Sequence, residues 1–261
     1  MSQTTTSAGF TIEPASGLIG ATLHGFDLEH VLTDAELQAG LRAALLEHLV
    51  LVLPQPDPTP EQHVALARVF GTPEPPEDYN PAHPDHPELC VFDSSGGYKA
   101  DKWHADVTWK EVIPDAALLC MRVNPPAGGD TLWSNCSAAY DGLSNGMKQL
   151  LENRRAIHEI SPEHQTEHPV VVTHPETGKK LLFVNEVFTR NIVNLPPDES
   201  AAILPFLLQH VHRPEYTYRH RWSEGDVVIW DNRATQHYAV FDFEGRRVVH
   251  RVGIAGGAPA A

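Results

Sequence analysis

Positive charge is scarce in this chain: 19 Lys and Arg stand against 34 Asp and Glu, a formal net charge of −15. Nucleic-acid binding rests on clustered Lys and Arg neutralising phosphates, so this balance argues against a nucleic-acid partner. A small anionic ligand stays open, because it needs only one or two arginines in a pocket. Long apolar runs are missing too. No stretch of about 18 apolar residues occurs, so no transmembrane helix is expected. The polar start MSQTTTSAGF lacks a basic region followed by an apolar core, so no secretory signal and a cytoplasmic location are expected. Cysteine is sparse: Cys90, Cys120 and Cys136 are odd in number and form no CxxC, which excludes a disulfide scaffold or a Cys-type zinc site. No repeat period, no βαβ alternation and no Gly-rich phosphate loop after a strand is present.

What is present is many short strand patterns between Gly- and Pro-rich turns. Strands are expected within FTIEPASGLIGATLHGFDL, at Leu49–Pro54, in WHADVTW, over Ala117–Val123, and in TLWSN, HPVVVTH, KLLFVN, YTYRHRW, DVVIWD and RRVVHRVGI. Helices are expected over TDAELQAGLRAALLEH with Thr33 as cap, over TPEQHVALARVFG with Thr59 as cap, from about Ser137 to Arg154, and over DESAAILPFLLQHV. Pro73 to Lys102 reads as one long functional loop. Short strands with a few outer helices predict a mainly β protein, an antiparallel sandwich or barrel, in a single domain over 1–261 with tails at about 1–9 and 256–261.

In WHADVTW, strand alternation would put His104 and Asp106 on one face, with Trp103 and Trp109 turned away into packing. Alone, HxD reads as a hydrogen-bonded pair on a solvated face. With a distant histidine it becomes a 2-His-1-carboxylate triad, which holds Fe(II) by one face and leaves three positions open. GDVVIWDNRATQHYAV offers His237 for that place. In RRVVHRVGI, Arg247 and Arg251 are four apart and share a face, about 13 Å from one another at ~3.3 Å per residue. Burying two guanidinium groups is costly unless each meets a carboxylate or similar anion. A salt bridge within the protein would satisfy either one. Two further patterns carry little. HQTEH (His164–His168) matches an inverted zinc-peptidase motif, but Pro162 and Pro169 leave no room for the helix it needs. The alternating aromatics of YTYRHRW read as packing.

With WHADVTW, GGDTLW, WDNRATQHYA and RRVVHRV in this order, the sequence resembles the TauD/TfdA (taurine dioxygenase) family of Fe(II)- and 2-oxoglutarate-dependent oxygenases, from GLIGATLHGFDL to HRVGI. The resemblance implies a double-stranded β-helix, or jelly roll, with flanking helices. It implies that His104, Asp106 and His237 hold Fe(II), that Thr131 and Arg247 bind the distal carboxylate of 2-oxoglutarate, and that Arg251 faces an anionic primary substrate. Val107, Phe188 and Tyr79 fall at substrate-pocket positions. The implied reaction consumes O2 and 2-oxoglutarate, yields succinate and CO2, and hydroxylates a small sulfonate, sulfate or carboxylate, with loss of a heteroatom group where the carbon bears one. A dimer or tetramer is implied as well.

The sequence also departs from the family pattern. Where taurine-oxidising members carry a sulfonate-contacting histidine, the loop TPEPPEDY has proline, which argues against taurine. Ile160 stands for a pocket phenylalanine and Ala100 for an asparagine, and the segment from Ile160 to His168 is too short for the family's lid. A cupin-like metal hydrolase or lyase would use the same three ligands, but would leave Thr131 and both arginines unexplained. A non-catalytic jelly roll that binds a small anion would not need all three ligands.

Overall fold

The computed structural model describes residues 5–7, 9–97 and 99–261. A nine-stranded sheet runs in the order 5–7, 10–14, 21–24, 50–53, 227–231, 116–123, 248–254, 73–74, with 89–93 also paired to 248–254. Facing it is a three-stranded sheet in the order 217–220, 131–135, 235–239. Two smaller sheets, of strands 164–169, 155–161 and 189–192 and of strands 171–173 and 180–182, flank this sandwich.

Alternation explains the layering. In the central strand Val227–Asp231, Val228 and Trp230 enter the core between the sheets, and Val227 and Ile229 enter the core under the helices. Its neighbour Ala116–Val123 divides the same way: Ala117, Leu119 and Met121 point inward, and Leu118 and Cys120 pack toward the helices. Both faces are covered, so both strands read as nearly continuous apolar runs. The outer layer contains helix Ala35–His48, which buries Leu37, Leu41, Ala44 and Leu45, and helix Pro60–Arg68. Thr59 caps the second helix in a full capping box with Gln62.

Several expectations shift by local physics. The first long helix is capped by Asp34, not Thr33, because Asp34 accepts from the amides of Glu36 and Leu37 while Thr33 ends a short helix of its own, Leu28–Thr33. The helix expected over Ser137–Arg154 is two, Cys136–Asp141 and Asn145–Leu151. The break falls at Gly142, where a Cβ would run into the Tyr216 hydroxyl, and Ser144 then starts the second helix by accepting from the Met147 amide. Within the expected loop of Pro73–Lys102, Leu89–Asp93 is a strand paired with the last strand. The largest change is in WHADVTW, which is not a strand: one antiparallel bridge joins His104 to His237, and the chain then turns. HQTEH is a strand of a β-hairpin, as its flanking prolines require.

Candidate metal and cosubstrate site

The bridge sets the two histidines. The His104 amide donates to the His237 carbonyl at 3.0 Å and the His237 amide donates to the His104 carbonyl at 2.7 Å, which brings the rings to 4.2 Å between centroids. His104 Nδ1 is 2.7 Å from the Lys102 carbonyl; donation there fixes the tautomer and leaves Nε2 as the free lone pair. Asp106 follows in the turn, its Oδ1 at 4.0 Å from His104 Nε2 and 3.8 Å from His237 Nε2. One ligand atom from each of the three lies within 4.8 Å of the other two.

The charge states suit a divalent cation. Burial, helped by His104, pushes the His237 imidazole down to about 3, so it stays neutral. Burial alone would raise the Asp106 carboxyl, but Arg251 and the two histidines take it down to about 2. Two imidazoles and one carboxylate form the facial donor set for non-haem iron.

The turn that aims Asp106 is strained. Val107 has φ 47°, a left-handed conformation that costs a β-branched residue about 1–3 kcal/mol. On the far side Thr108, fully buried, accepts from Asn185 Nδ2 at 2.9 Å and bonds His158 Nδ1 at 2.9 Å.

The arginines differ in their surroundings. Arg247 Nε donates to the Gly129 carbonyl at 3.0 Å and Nη2 to Thr131 Oγ1 at 3.4 Å, and Thr131 Oγ1 also accepts from Trp222 Nε1 at 3.0 Å. No carboxylate among the described residues lies within ion-pair distance of Arg247, and burial lowers its guanidinium to about 10. Gly129 adopts φ 72°, and a Cβ there would press on Arg247 Cδ at 3.2 Å and Phe243 at 3.3 Å, so this glycine admits the guanidinium stem. Arg251 lies on the same strand face but donates from Nη2 to Asp106 Oδ2 at 2.7 Å.

All nine residues singled out from the sequence line one pocket: His104, Asp106, His237, Thr131, Arg247, Arg251, Val107, Phe188 and Tyr79. The pocket lies between the sheets, with Leu119, Val249 and Trp230 from the large sheet and Ala239 from the small one. Ala100 lines it, whereas Ile160 is 44% exposed and no residue of 160–168 reaches it; Glu74, Glu77, Phe241 and Phe243 also line it. The tryptophans stay outside, Trp103 stacked on His212 and Trp109 edge-on to His164. Residues the sequence reading passed over include Glu74, whose carboxyl burial pushes up, and Asn232, whose amide bonds the backbone of Asp106. The signal for Asn232 was a polar DNR run directly after a fully apolar strand.

A jelly roll with a 2-His-1-carboxylate centre beside a buried guanidinium defines a class, the mononuclear non-haem metal proteins. The family follows from comparison with known proteins. Residues 11–252 match the family described as taurine catabolism dioxygenase TauD, TfdA family, and the chain belongs to it. It is 37% identical to an alkylsulfatase from Acinetobacter baylyi, over 92% of this chain and 83% of that protein. It is 35% identical to an alpha-ketoglutarate-dependent sulfate ester dioxygenase from Pseudomonas putida, over 95% of this chain and 90% of that one. A solved taurine dioxygenase from Burkholderia xenovorans superposes with TM-score 0.90 at 38% identity, covering 97% of this chain and 91% of that chain. The chain is an Fe(II)- and 2-oxoglutarate-dependent dioxygenase, an oxidoreductase that also consumes O2. Among the described residues no helix is long and apolar enough to cross a membrane.

Proposed function

We propose that this dioxygenase oxidises small alkyl sulfate esters, with His104, Asp106 and His237 holding Fe(II), Thr131 and Arg247 receiving the distal carboxylate of 2-oxoglutarate, and Arg251 facing the sulfate. The observation that carries the cosubstrate half is Arg247, a largely buried guanidinium with no carboxylate within ion-pair distance among the described residues, lining the same pocket as the three proposed ligands. An uncompensated buried charge is costly unless an external anion completes it. A hydrolase or lyase built on the same ligands leaves that cation unused. The names of the two relatives support the sulfate ester, as do the apolar walls at Val107, Leu119, Phe188 and Val249, which suit an alkyl chain.

When bound, iron supplies the oxidation: O2 and 2-oxoglutarate become succinate and CO2, and one oxygen atom enters a substrate C–H bond. The protein's part is to orient the two anions and keep water from the reacting carbon. If the carbon attacked bears the sulfate oxygen, the hydroxylated product breaks that C–O bond and releases an aldehyde, sulfate and a proton. Incubation with Fe(II), 2-oxoglutarate and a panel of alkyl sulfates, sulfonates and aryloxyalkanoates tests the reading. Succinate and sulfate should appear together with a medium-chain alkyl sulfate. Sulfate release without 2-oxoglutarate would mean hydrolysis instead. A cytoplasmic homo-oligomer, dimer or tetramer, and a single catalytic domain belong to the same proposal and rest on the family resemblance; light scattering measures the assembly.

A further inference from the structure

Asp106 and Thr108 flank the left-handed residue Val107, and each is tied to a different part of the fold. Asn232 takes Asp106. Its Oδ1 accepts the Asp106 amide at 2.8 Å, while Nδ2 donates to the Asp106 carbonyl at 3.4 Å and to the Pro114 carbonyl at 3.1 Å. Asn232 is fully buried, and its own amide donates to the Asp115 carbonyl at 3.0 Å. Thr108 is held from the other side by His158, on strand Arg155–Ser161, and by Asn185. The Lys110 amide closes the turn on the Val107 carbonyl at 2.9 Å. The backbone at Val107 therefore cannot relax to negative φ without breaking bonds on one flank or the other. Strain of this kind persists only where the surroundings over-determine it.

Were the strain at Val107 released while Thr108 stayed held, the flank carrying Asp106 would have to rotate, and its Oδ1 would leave the two Nε2 atoms. We infer that Asn232, together with Thr108, is a positioning residue of the metal centre, clamping Asp106 against the strain at Val107 so that Oδ1 meets His104 and His237. This rests on the proposed ligand set and goes beyond it. Neither residue lines the pocket, so their effect reaches the metal only through the backbone.

Mn(II) titration of the 2-oxoglutarate-free protein, read by the EPR signal of the free ion, tests the inference without turnover. Asn232→Ala should weaken Mn(II) binding about 10- to 100-fold, the range for lost outer partners of a metal ligand. Val107→Gly, which removes the penalty of left-handed φ, should restore at least threefold of that loss in the Asn232→Ala background and change the parent far less. A purely structural Asn232 would instead give losses that add. Thr108→Val keeps the side-chain shape and carries the test should Asn232→Ala not fold; it too should weaken Mn(II) binding, at least threefold. Unchanged Mn(II) affinity in Thr108→Val, or additive losses in the double variant, would overturn the inference. A parent protein that binds no Mn(II) would sink the ligand set itself, and the clamp with it.

Discussion

Arg251 Nη2 donates to Oδ2 of Asp106 at 2.7 Å, while Oδ1 of the same carboxylate faces the two histidine nitrogens. The guanidinium thus occupies one carboxylate oxygen and leaves the other toward the two imidazoles, the arrangement the proposed ligand set needs. The carboxylate that the buried arginine was expected to meet is, for Arg251, within the protein. Its charge is shared between that ligand and any anion in the pocket.

Arg251→Ala should therefore have two effects. The KM for an alkyl sulfate should rise about 10- to 100-fold, the scale of a lost charge-assisted hydrogen bond. Consumption of 2-oxoglutarate should continue, with succinate outrunning sulfate release because Asp106 and the substrate are both less well held. Arg251→Lys should recover only part, since a point charge cannot face both partners as the planar fork does. An unchanged KM in the alanine variant would remove Arg251 from the substrate site.

Arg247 predicts a trade between stability and binding. Without cosubstrate its largely buried guanidinium has hydrogen bonds to Gly129 and Thr131 but, among the described residues, no carboxylate within ion-pair distance; Asp130 acts on it only from farther off. Arg247→Met should leave the metal-free protein as stable as the parent or a few degrees more so, because an uncompensated charge is gone. The same variant should lose 2-oxoglutarate affinity by at least about 100-fold. In the metal-loaded parent, cosubstrate at about 100 times its Kd should add about 2.7 kcal/mol, or roughly 5–10 °C in Tm for a chain of this size. Thermal melts with and without 2-oxoglutarate decide it: an equal ligand shift in parent and variant would show that the carboxylate binds elsewhere.

The three residues proposed to hold the metal were legible in the sequence, but the backbone that brings them together was not. His104, Asp106 and His237 are identified by residue type and by the neighbouring motifs, and all converge. The reason first given for their convergence, a shared strand face, does not hold: the chain leaves extended geometry at Val107, and a left-handed valine has no sequence signature. Asn232 is marked only by the polar DNR run that holds it, which does not tell its partner, because it bonds main-chain atoms of a segment over a hundred residues away. Strand Leu89–Asp93 was hidden because its pairing partner, Val248–Ile254, lies at the other end of the chain, while the local composition is rich in proline and histidine. Periodicity reports burial on a face; it does not report which distant strand supplies the ladder.

The buried histidines predict acid sensitivity. Burial, with His250 and Arg122 nearby, lowers His63 to about 3; burial, with His168, lowers His158 to about 3. In the unfolded chain both titrate near 6.5, so below that pH the unfolded state binds protons that the folded state refuses. Stability should therefore fall as pH drops through 6.5, by up to about 1.4 kcal/mol per unit for each fully buried histidine. For the pair this is about 2–3 kcal/mol between pH 6 and 5, or roughly 5–10 °C in Tm. His250, half-buried and lowered to about 4, adds less. His63→Leu should flatten the slope by about a third to a half. A metal-free Tm that stays level from pH 7 to 5 would contradict the assignment.

Glu74 predicts a gain of function. It comes from strand Pro73–Glu74, paired with the last strand at Gly253, and lines the pocket near Arg251. Burial raises its carboxyl, and Arg251 and Lys110 oppose that rise. In its ionised form the Glu74 carboxylate repels an incoming sulfate. Between partly solvated charges that repulsion is of the order of 1 kcal/mol. Glu74→Gln keeps the shape and removes the charge, so the KM for an alkyl sulfate should fall about three- to tenfold at pH 7.5. The sign also fixes a pH dependence: in the parent, KM should fall as pH drops toward the raised Glu74 pKa, and the glutamine variant should lose that trend. Steady-state kinetics across pH 6–8 on both proteins is the measurement. A KM that rises in Glu74→Gln would mean the carboxylate holds the substrate instead of repelling it.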